Sequence, residues 1–370
     1  MAAKCRVLVM AAGTGGHVFP ALSIAKHLTE KGADVHWLVT HSGMENKLLS
    51  GVSYPLHKIQ VSGLRGSGIR RLVLAPIMLI RAFFQSAKII RSIKPDCVLG
   101  MGGFVCGPAG LAAKCFGVPL LIHEQNAVAG LTNKILSKFA NKTFAAFPGT
   151  FPGHARVEVT GNPVRQEIEA LREDSRRDDS VEVTLRVLVL GGSQGAAAIN
   201  RELPKIAAHW KGSNLEIWHQ TGAKNFDDTK ALYEQEHESV ESVANAESHR
   251  VSAFIENMGE AYRWADIVIC RSGASTVSEL AVVGLPAILV PYPYHKDQQQ
   301  LHNANWLVNE QAALLVEQND FTASHVLSVL EDLAADRSKL TEMRRKSLAM
   351  GKLNAAKHVA DRCLEIANEQ

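Results

Sequence analysis

Residues 265–301 read ADIVICRSGASTVSELAVVGLPAILVPYPYHKDQQQL, and the fold of the whole chain turns on this stretch. The apolar run Ile267 to Cys270 reads as a buried strand, Arg271-Ser272-Gly273 as a tight turn and Ser275 to Val283 as a helix. Gly284 and Pro286 stop that helix, and Ala287 to Val290 is a second strand, which completes a βαβ unit. A helix that opens off a strand through Gly and Ser presents backbone N–H groups and a positive dipole end, which suits a diphosphate. Glu279, three residues past Thr276, offers a carboxylate to both hydroxyls of a ribose. Thr276-x-x-Glu279 fits a capping box equally well, with no ligand required, and the local pattern leaves both readings open.

The same strand, glycine turn and helix recur twice. Arg6 to Met10 is a strand, Ala11 to His17 a Gly-rich loop and Pro20 to about Lys31 a helix. The loop is no Walker loop, since no Gly-Lys-Ser/Thr follows, and no dinucleotide fingerprint, since Val18 stands where the third glycine belongs. Arg186 to Leu190 followed by Gly191-Gly192-Ser193-Gln194-Gly195 matches the G-x-S-x-G nucleophile elbow, with Asp266 and His295 downstream in hydrolase order. The recurrence outweighs that match. It predicts an α/β protein of two Rossmann-like doubly wound domains facing a central cleft, each presenting one loop to it.

Other polar groups fall at predicted strand ends, where such sheets bind ligands. His17 follows the first glycine loop, and an imidazole can accept the proton of an attacking sugar hydroxyl. Pro95 to Met101 is a strand feeding a loop that includes Gly102 and Gly103, then a helix from Ala109. Val118 to Ile122 is a strand ending in His123-Glu124-Gln125-Asn126. Leu215 to Thr221 and Arg250 to Phe254 read as further strands, and 227–248 as a solvated helix and loop. Arg165, in Gly161-Asn162-Pro163-Val164-Arg165, has two readings, a guanidinium on a diphosphate or a hinge ion pair.

A length of 370 residues allows two or three domains with real cores, and 46% hydrophobic with 21% charged residues is an ordinary globular composition. Six cysteines, none in a C-x-x-C pair, read as reduced core thiols, and Val7 to Ala12 as a first strand rather than a signal peptide. Net charge of +3 conceals an asymmetry: residues 1–165 carry 19 Lys and Arg against 6 Asp and Glu, the remainder 21 against 31. The composition change places a boundary at about 165, giving domains 1–165 and 166–353, the first completed by a final helix, 354–370. No acid occurs between Glu45 and Asp96. Within that interval Leu72 to Ile90 is the most apolar run, bearing Ile77, Leu79 and Phe83 and bordered by Arg65, Arg70, Arg71, Arg81, Lys88, Arg91 and Lys94. Arg81 and Pro76 interrupt it, so it falls short of the ~20 apolar residues that span a bilayer, and it reads as a peripheral contact with an anionic membrane surface. No nucleic-acid partner is expected.

GTGGHVFPAL (Gly13 to Leu22), SGLRG (Ser62 to Gly66), GMGGFVCGPAG (Gly100 to Gly110), HEQNAVAGLTNK (His123 to Lys134), GNPVR (Gly161 to Arg165), GGSQGA (Gly191 to Ala196) and the CRSGASTVSE and HKDQQ segments resemble, in order, the signatures of the MurG family. That family comprises GT-B glycosyltransferases that add N-acetylglucosamine to lipid-linked muramoyl-pentapeptide. The resemblance implies inverting transfer from UDP-GlcNAc to the muramoyl C4 hydroxyl of an undecaprenyl-diphosphate acceptor, in peptidoglycan synthesis on the cytoplasmic face of the inner membrane. It implies His17 as general base, with Asn126 on the sugar or acceptor and Glu124 as second candidate. Donor contacts are implied at Thr14, Gly15, Gly16, Asn126, Arg165, Ser193, Ile255, Ala274, Ser275, Thr276, Val277, Ser278, Glu279, Gln299 and Gln300. Acceptor contacts are implied at Arg65, Gly102 and Gly103. No Asp-x-Asp lies near the predicted diphosphate, so no metal or cofactor is required, with stimulation by a divalent cation left open. Pro293-Tyr294 adds a residue before His295 relative to the family pattern, which leaves open which of Gln299 and Gln300 meets the donor. Other cell-wall synthesis and division proteins are candidate partners. The alternative is a GT-B enzyme using another lipid or small-molecule acceptor.

Overall fold

The computed structural model describes residues 4–62, 69–154, 156–174, 184–192, 195–212, 214–239, 249–295 and 297–369. By contact the chain forms two compact units, 1–165 with 352–370 and 166–351.

The first unit is a parallel seven-stranded sheet of β1 (Arg6–Met10), β2 (Asp34–Thr40), β3 (Leu56–Ile59), β4 (Cys97–Gly100), β5 (Leu120–Glu124), β6 (Lys142–Ala145) and β7 (Val157–Val159). Its helices include α1 (Gly15–Glu30), α2 (Glu45–Leu48), α3 (Ile69–Ile93), α4 (Cys106–Cys115) and α5 (Leu131–Leu136). The central strands are continuous runs of Val, Leu and Ile because helices cover both faces. Val7, Val9, Trp37, Leu99 and Phe144 face one core with Val18, Ala21, Ile24, Ala25 and Leu28 of α1, whose 3.6-residue periodicity gives that helix one apolar side. Leu8, Met10, Leu38, Val98 and Ile122 face the other, against α3 and α4. Spatial order is β3-β2-β1-β4-β5-β6-β7, so the winding direction reverses between β1 and β4.

The second unit is a parallel six-stranded sheet of β8 (Leu185–Leu190), β9 (Leu215–Gln220), β10 (His249–Ser252), β11 (Ile267–Cys270), β12 (Ala287–Leu289) and β13 (Ala313–Leu315), ordered β10-β9-β8-β11-β12-β13. It carries α6 (Gln166–Glu169), α7 (Leu171–Asp174), α8 (Ala197–His209), α9 (Phe226–Ser239), α10 (Met258–Trp264), α11 (Ala274–Val283), α12 (Gln299–Val308), α13 (Ala323–Ala335) and α14 (Arg337–Met350). Here the reversal lies between β8 and β11. Helix α11 stops at Gly284, whose φ of +78° is left-handed and whose built Cβ would stand 2.3 Å from Leu348 Cγ, so both backbone and packing demand glycine. A last helix, α15 (Ala355–Asn368), belongs to the first unit and buries Ala356, Val359, Ala360 and Cys363 in the core that α1 lines.

Several expected boundaries move. Helix α1 starts at Gly15 rather than Pro20, with extended Thr14 as N-cap, and holds Pro20 inside. Proline's missing N–H leaves one carbonyl of that helix without its usual partner. Helix α4 likewise starts at Cys106 rather than Ala109, with Pro108 in its first turn, where a missing N–H costs nothing. Strand β5 runs two residues further than expected, to Glu124, which places His123 and Glu124 inside the sheet. The predicted run to Phe254 ends at Ser252, leaving Phe254 62% exposed.

Candidate functional site

In each sheet the reversal point opens a crevice at the carboxyl ends of two strands, and the glycine loops occupy these crevices. In the first unit the loop after β1 meets the loop after β4. Gly103 has φ +85° and a Cβ there would lie 2.4 Å from the Ala12 carbonyl oxygen. Gly102 has φ +96° and a Cβ there would lie 2.9 Å from His17 Cε1. Both glycines therefore have a packing reason beside any acceptor contact, since Gly102 makes room for the imidazole.

His17 is half-buried in the first turn of α1, not in an open loop. Its Nδ1 lies 2.8 Å from Gln125 Oε1. Gln125 Nε2 lies 3.2 Å from His123 Nδ1 and 3.1 Å from the His123 carbonyl oxygen. His123 Nε2 lies 3.0 Å from the Gly161 carbonyl oxygen, and burial lowers the His123 pKa to about 4. The loop that carries His17 is anchored by a carboxylate that sequence reading missed. Glu45 is fully buried and accepts from Gly13 N–H at 3.0 Å, from Thr40 N–H at 2.9 Å and from the Thr40 hydroxyl. Nothing local in the sequence joins Gly13 to a glutamate 32 residues away.

Glu124, the second candidate for the base, organises its own loop. It is 3% exposed and accepts from Asn126 N–H (3.1 Å), Asn126 Nδ2 (3.2 Å), Gly130 N–H (3.1 Å) and Asn133 Nδ2 (2.9 Å). Four donors stabilise the carboxylate and leave no lone pair aimed outward. Asn126 is thereby tied to Glu124 through both its main chain and its amide. Thr14 and Gly16 are exposed, Gly15 and Arg165 half-buried, and Arg65 lies outside the described residues.

In the second unit, the loop after β8 packs against the end of β9: a Cβ on Gly191 would stand 2.9 Å from the Gln220 carbonyl oxygen. Ser193 lies outside the described residues. The hydrolase arrangement is excluded, because Asp266 precedes β11 and bonds Arg186 N–H at 2.8 Å, at the opposite end of the sheet from the elbow. Beside that loop, Gly273 caps α11 with extended backbone, and the first intrahelical bond is Val277 N–H to Gly273 O at 2.9 Å. The N–H groups of Ser275 and Thr276 lie ahead of it. Ser275 Oγ is buried with no hydrogen-bond partner among the described residues. A buried hydroxyl left so at a helix N-terminus is a donor available to an acceptor from outside the protein. Ala274, Val277 and Ser278 are buried, and the Val277 N–H is already spent inside the helix. The capping box does not form, since α11 begins two residues before Thr276, and Glu279 accepts instead from the Tyr262 hydroxyl at 2.8 Å. Ile255 is buried in the loop after β10.

Gln300 Oε1 accepts from Tyr292 N–H at 2.8 Å, and the Ser272 hydroxyl donates to the Gln300 carbonyl at 2.7 Å, so Gln300 braces the loop before α12. Gln299, half-buried, opens α12. Among the described residues no group of His, Cys, Asp and Glu is gathered to hold a metal ion.

On α3, Leu74, Ile77, Ile80 and Phe84 form an exposed stripe, Phe84 being 66% exposed, with Leu79 beside it. Phe83 does not belong to it: the ring packs against the core, one position round the helix. Arg81, Lys88 and Arg91 are exposed along the same helix. No helix among the described residues is long and apolar enough to cross a membrane.

Residues 7–145 match the glycosyltransferase family 28 N-terminal domain and residues 186–362 its C-terminal domain. The chain is 49% identical over 368 residues, covering all of both chains, to the UDP-N-acetylglucosamine--N-acetylmuramyl-(pentapeptide) pyrophosphoryl-undecaprenol N-acetylglucosamine transferase of Mannheimia succiniciproducens. To the protein of that name from Shewanella frigidimarina it is 45% identical, over 98% of this chain and 97% of the other. The crystal structure of Acinetobacter baumannii MurG superposes with a TM-score of 0.82 at 41% identity, over 98% of this chain and 99% of that one. The two parallel sheets are those of the GT-B fold. On both domain matches and near full-length identity, the chain belongs to glycosyltransferase family 28 and, within it, to the MurG family.

Proposed function

We propose that the chain transfers N-acetylglucosamine, with inversion, from UDP-N-acetylglucosamine to the C4 hydroxyl of the muramoyl unit of undecaprenyl-diphospho-muramoylpentapeptide, a step of peptidoglycan synthesis. The names of relatives at 45% and 49% identity supply donor and acceptor. One observation carries the mechanism: the His17 ring sits at the reversal point of the first sheet, held through Nδ1 so that Nε2 can take a proton. As the C4 oxygen bonds to the anomeric carbon, the bond to UDP breaks and Nε2 receives the hydroxyl proton.

The leaving diphosphate gains charge, which the N-terminus of α11, the unpartnered Ser275 hydroxyl, Ser193 and Arg165 offset. Glu279 takes the ribose, the Ile255 main chain the uracil, and Thr14 to Gly16 and Asn126 the donor sugar. Gln299 is the glutamine on the sugar, since Gln300 is engaged with Tyr292. We read no metal or cofactor as required. The stripe on α3 rests on anionic lipid at the cytoplasmic face of the inner membrane, where the acceptor resides and other cell-wall and division proteins assemble. Replacing the imidazole is the test. His17→Ala should retain UDP binding and lose ~10²–10⁴-fold in turnover with lipid-linked muramoyl-pentapeptide, and turnover within a few-fold of the parent would place the base elsewhere.

A further inference from the structure

Gln125 is 1% exposed and carries no charge, yet its amide joins two histidines. Main-chain carbonyls fix the polarity of the whole chain of bonds. Gln125 Nε2 lies 3.1 Å from the His123 carbonyl oxygen, which only accepts, so that corner of the amide is the NH2 group. Oε1 then faces His17 Nδ1 at 2.8 Å, and an amide oxygen also only accepts, so His17 Nδ1 carries hydrogen. His123 obeys the same logic: Nε2–H donates to Gly161 O at 3.0 Å, and Nδ1 accepts from Gln125 at 3.2 Å. Held at a pKa of about 4 by burial, His123 stays neutral and cannot turn Nδ1 into a donor that would reverse the amide. Asn162 Nδ2 clamps the main chain of Gln125 at 3.0 Å.

We propose that Gln125 is a positioning residue for the transfer: its amide, oriented by His123, holds His17 as the Nδ1–H tautomer and leaves Nε2 as the only atom able to receive the acceptor proton. This deepens the reading of His17 as general base and rests on it. The other titratable groups around the loop are already engaged. Glu45 accepts from Gly13 and Thr40, Glu124 from its own loop, and the Cys106 thiol donates to Gly102 O at 2.9 Å.

The test is nitrogen-15 NMR on the full chain labelled at histidine, with His17→Ala assigning the resonances. The unsubstituted protein should show His17 protonated at Nδ1 and pyridine-like at Nε2. The reverse tautomer overturns the proposal while leaving His17 as base. Gln125→Leu should release the tautomer and lower kcat by ~10- to 100-fold with KM for the donor within ~2-fold, whereas unchanged kcat overturns it. Gln125→Glu keeps an acceptor opposite Nδ1 and adds a negative charge that favours imidazolium. The acid limb of its pH–rate profile should therefore move up by about 1 pH unit, and an unmoved limb overturns the proposal. Melting curves check folding of each variant, and the unsubstituted spectrum needs no variant to fold. Turnover that survives His17→Ala removes the base reading itself, an outcome distinct from a wrong tautomer.

Discussion

Alanine at Gly102 separates a packing role from a conformational one. A methyl there would begin 2.9 Å from His17 Cε1 and 3.1 Å from Nδ1. Ordinary carbon contacts start near 3.5 Å, so the ring must retreat by roughly half an ångström, stretching its 2.8 Å bond to Gln125. A misplacement of ~1 Å at a reacting group costs ~10²-fold, so half of that predicts a loss of about tenfold in kcat. The backbone supplies a second effect, because φ is +96° and alanine in left-handed space costs ~1–2 kcal/mol. Gly32 provides the control. Its φ is +86°, and a Cβ there meets nothing within 4 Å. Gly32→Ala and Gly102→Ala should therefore both lose stability in urea, Gly102→Ala the more for its contact with the ring, while only Gly102→Ala loses turnover in the sugar-transfer assay. Equal turnover from the two folded variants would refute the claim that Gly102 seats the imidazole.

Ser275→Ala should leave thermal stability unchanged, since the hydroxyl has no partner to lose among the described residues, and weaken UDP about tenfold by calorimetry. Phe84→Glu should cut partition onto anionic vesicles by tenfold or more with no change in melting, whereas Phe83→Glu should lower the melting temperature, because only the second ring is packed into the core. Burial lowers His219 to about 3 and His123 to about 4, both below the unfolded value of about 6.5. The unfolded chain therefore binds more protons below pH 6.5, and stability present above that pH is lost as pH falls towards 4, by up to ~1.4 kcal/mol per pH unit for each histidine. His219→Gln should flatten that dependence in denaturant titrations at pH 5 against pH 7.

The strands nearest each reversal point, β1, β4, β8 and β11, were legible because burial on both faces forces runs such as RVLVM and IVIC. The edge strands of the first sheet were not: LHKI in β3 and VEV in β7 are short and partly polar, with no apolar run to mark them. Helix starts were misread where Pro20 looked like a first residue and Pro108 like the end of a loop, although each helix had already begun at glycine or cysteine, types of low propensity. Glycine loops marked the carboxyl ends of the strands beside each reversal point. What a sequence cannot display is contact across it. Glu45 reaches Gly13 over 32 residues, and His17 reaches Gln125 over 108, so the polar framework around the imidazole emerges only from folded geometry. The bond between Gln300 Oε1 and the Tyr292 N–H, which ties α12 to the loop before it, is likewise absent from any local pattern.

The return of α15 to the first unit sets an order of events during synthesis. Residues 166–351 emerge from the ribosome as one uninterrupted unit, able to consolidate as soon as they are out. The first unit, although translated earlier, completes its core only when Ala356, Val359, Ala360 and Cys363 join it beside α1. Burying Val359 is worth ~1.5–3 kcal/mol and the smaller Ala356, Ala360 and Cys363 each add less, so nascent chains stalled short of α15 hold an incompletely closed sheet, a natural substrate for chaperones and proteases.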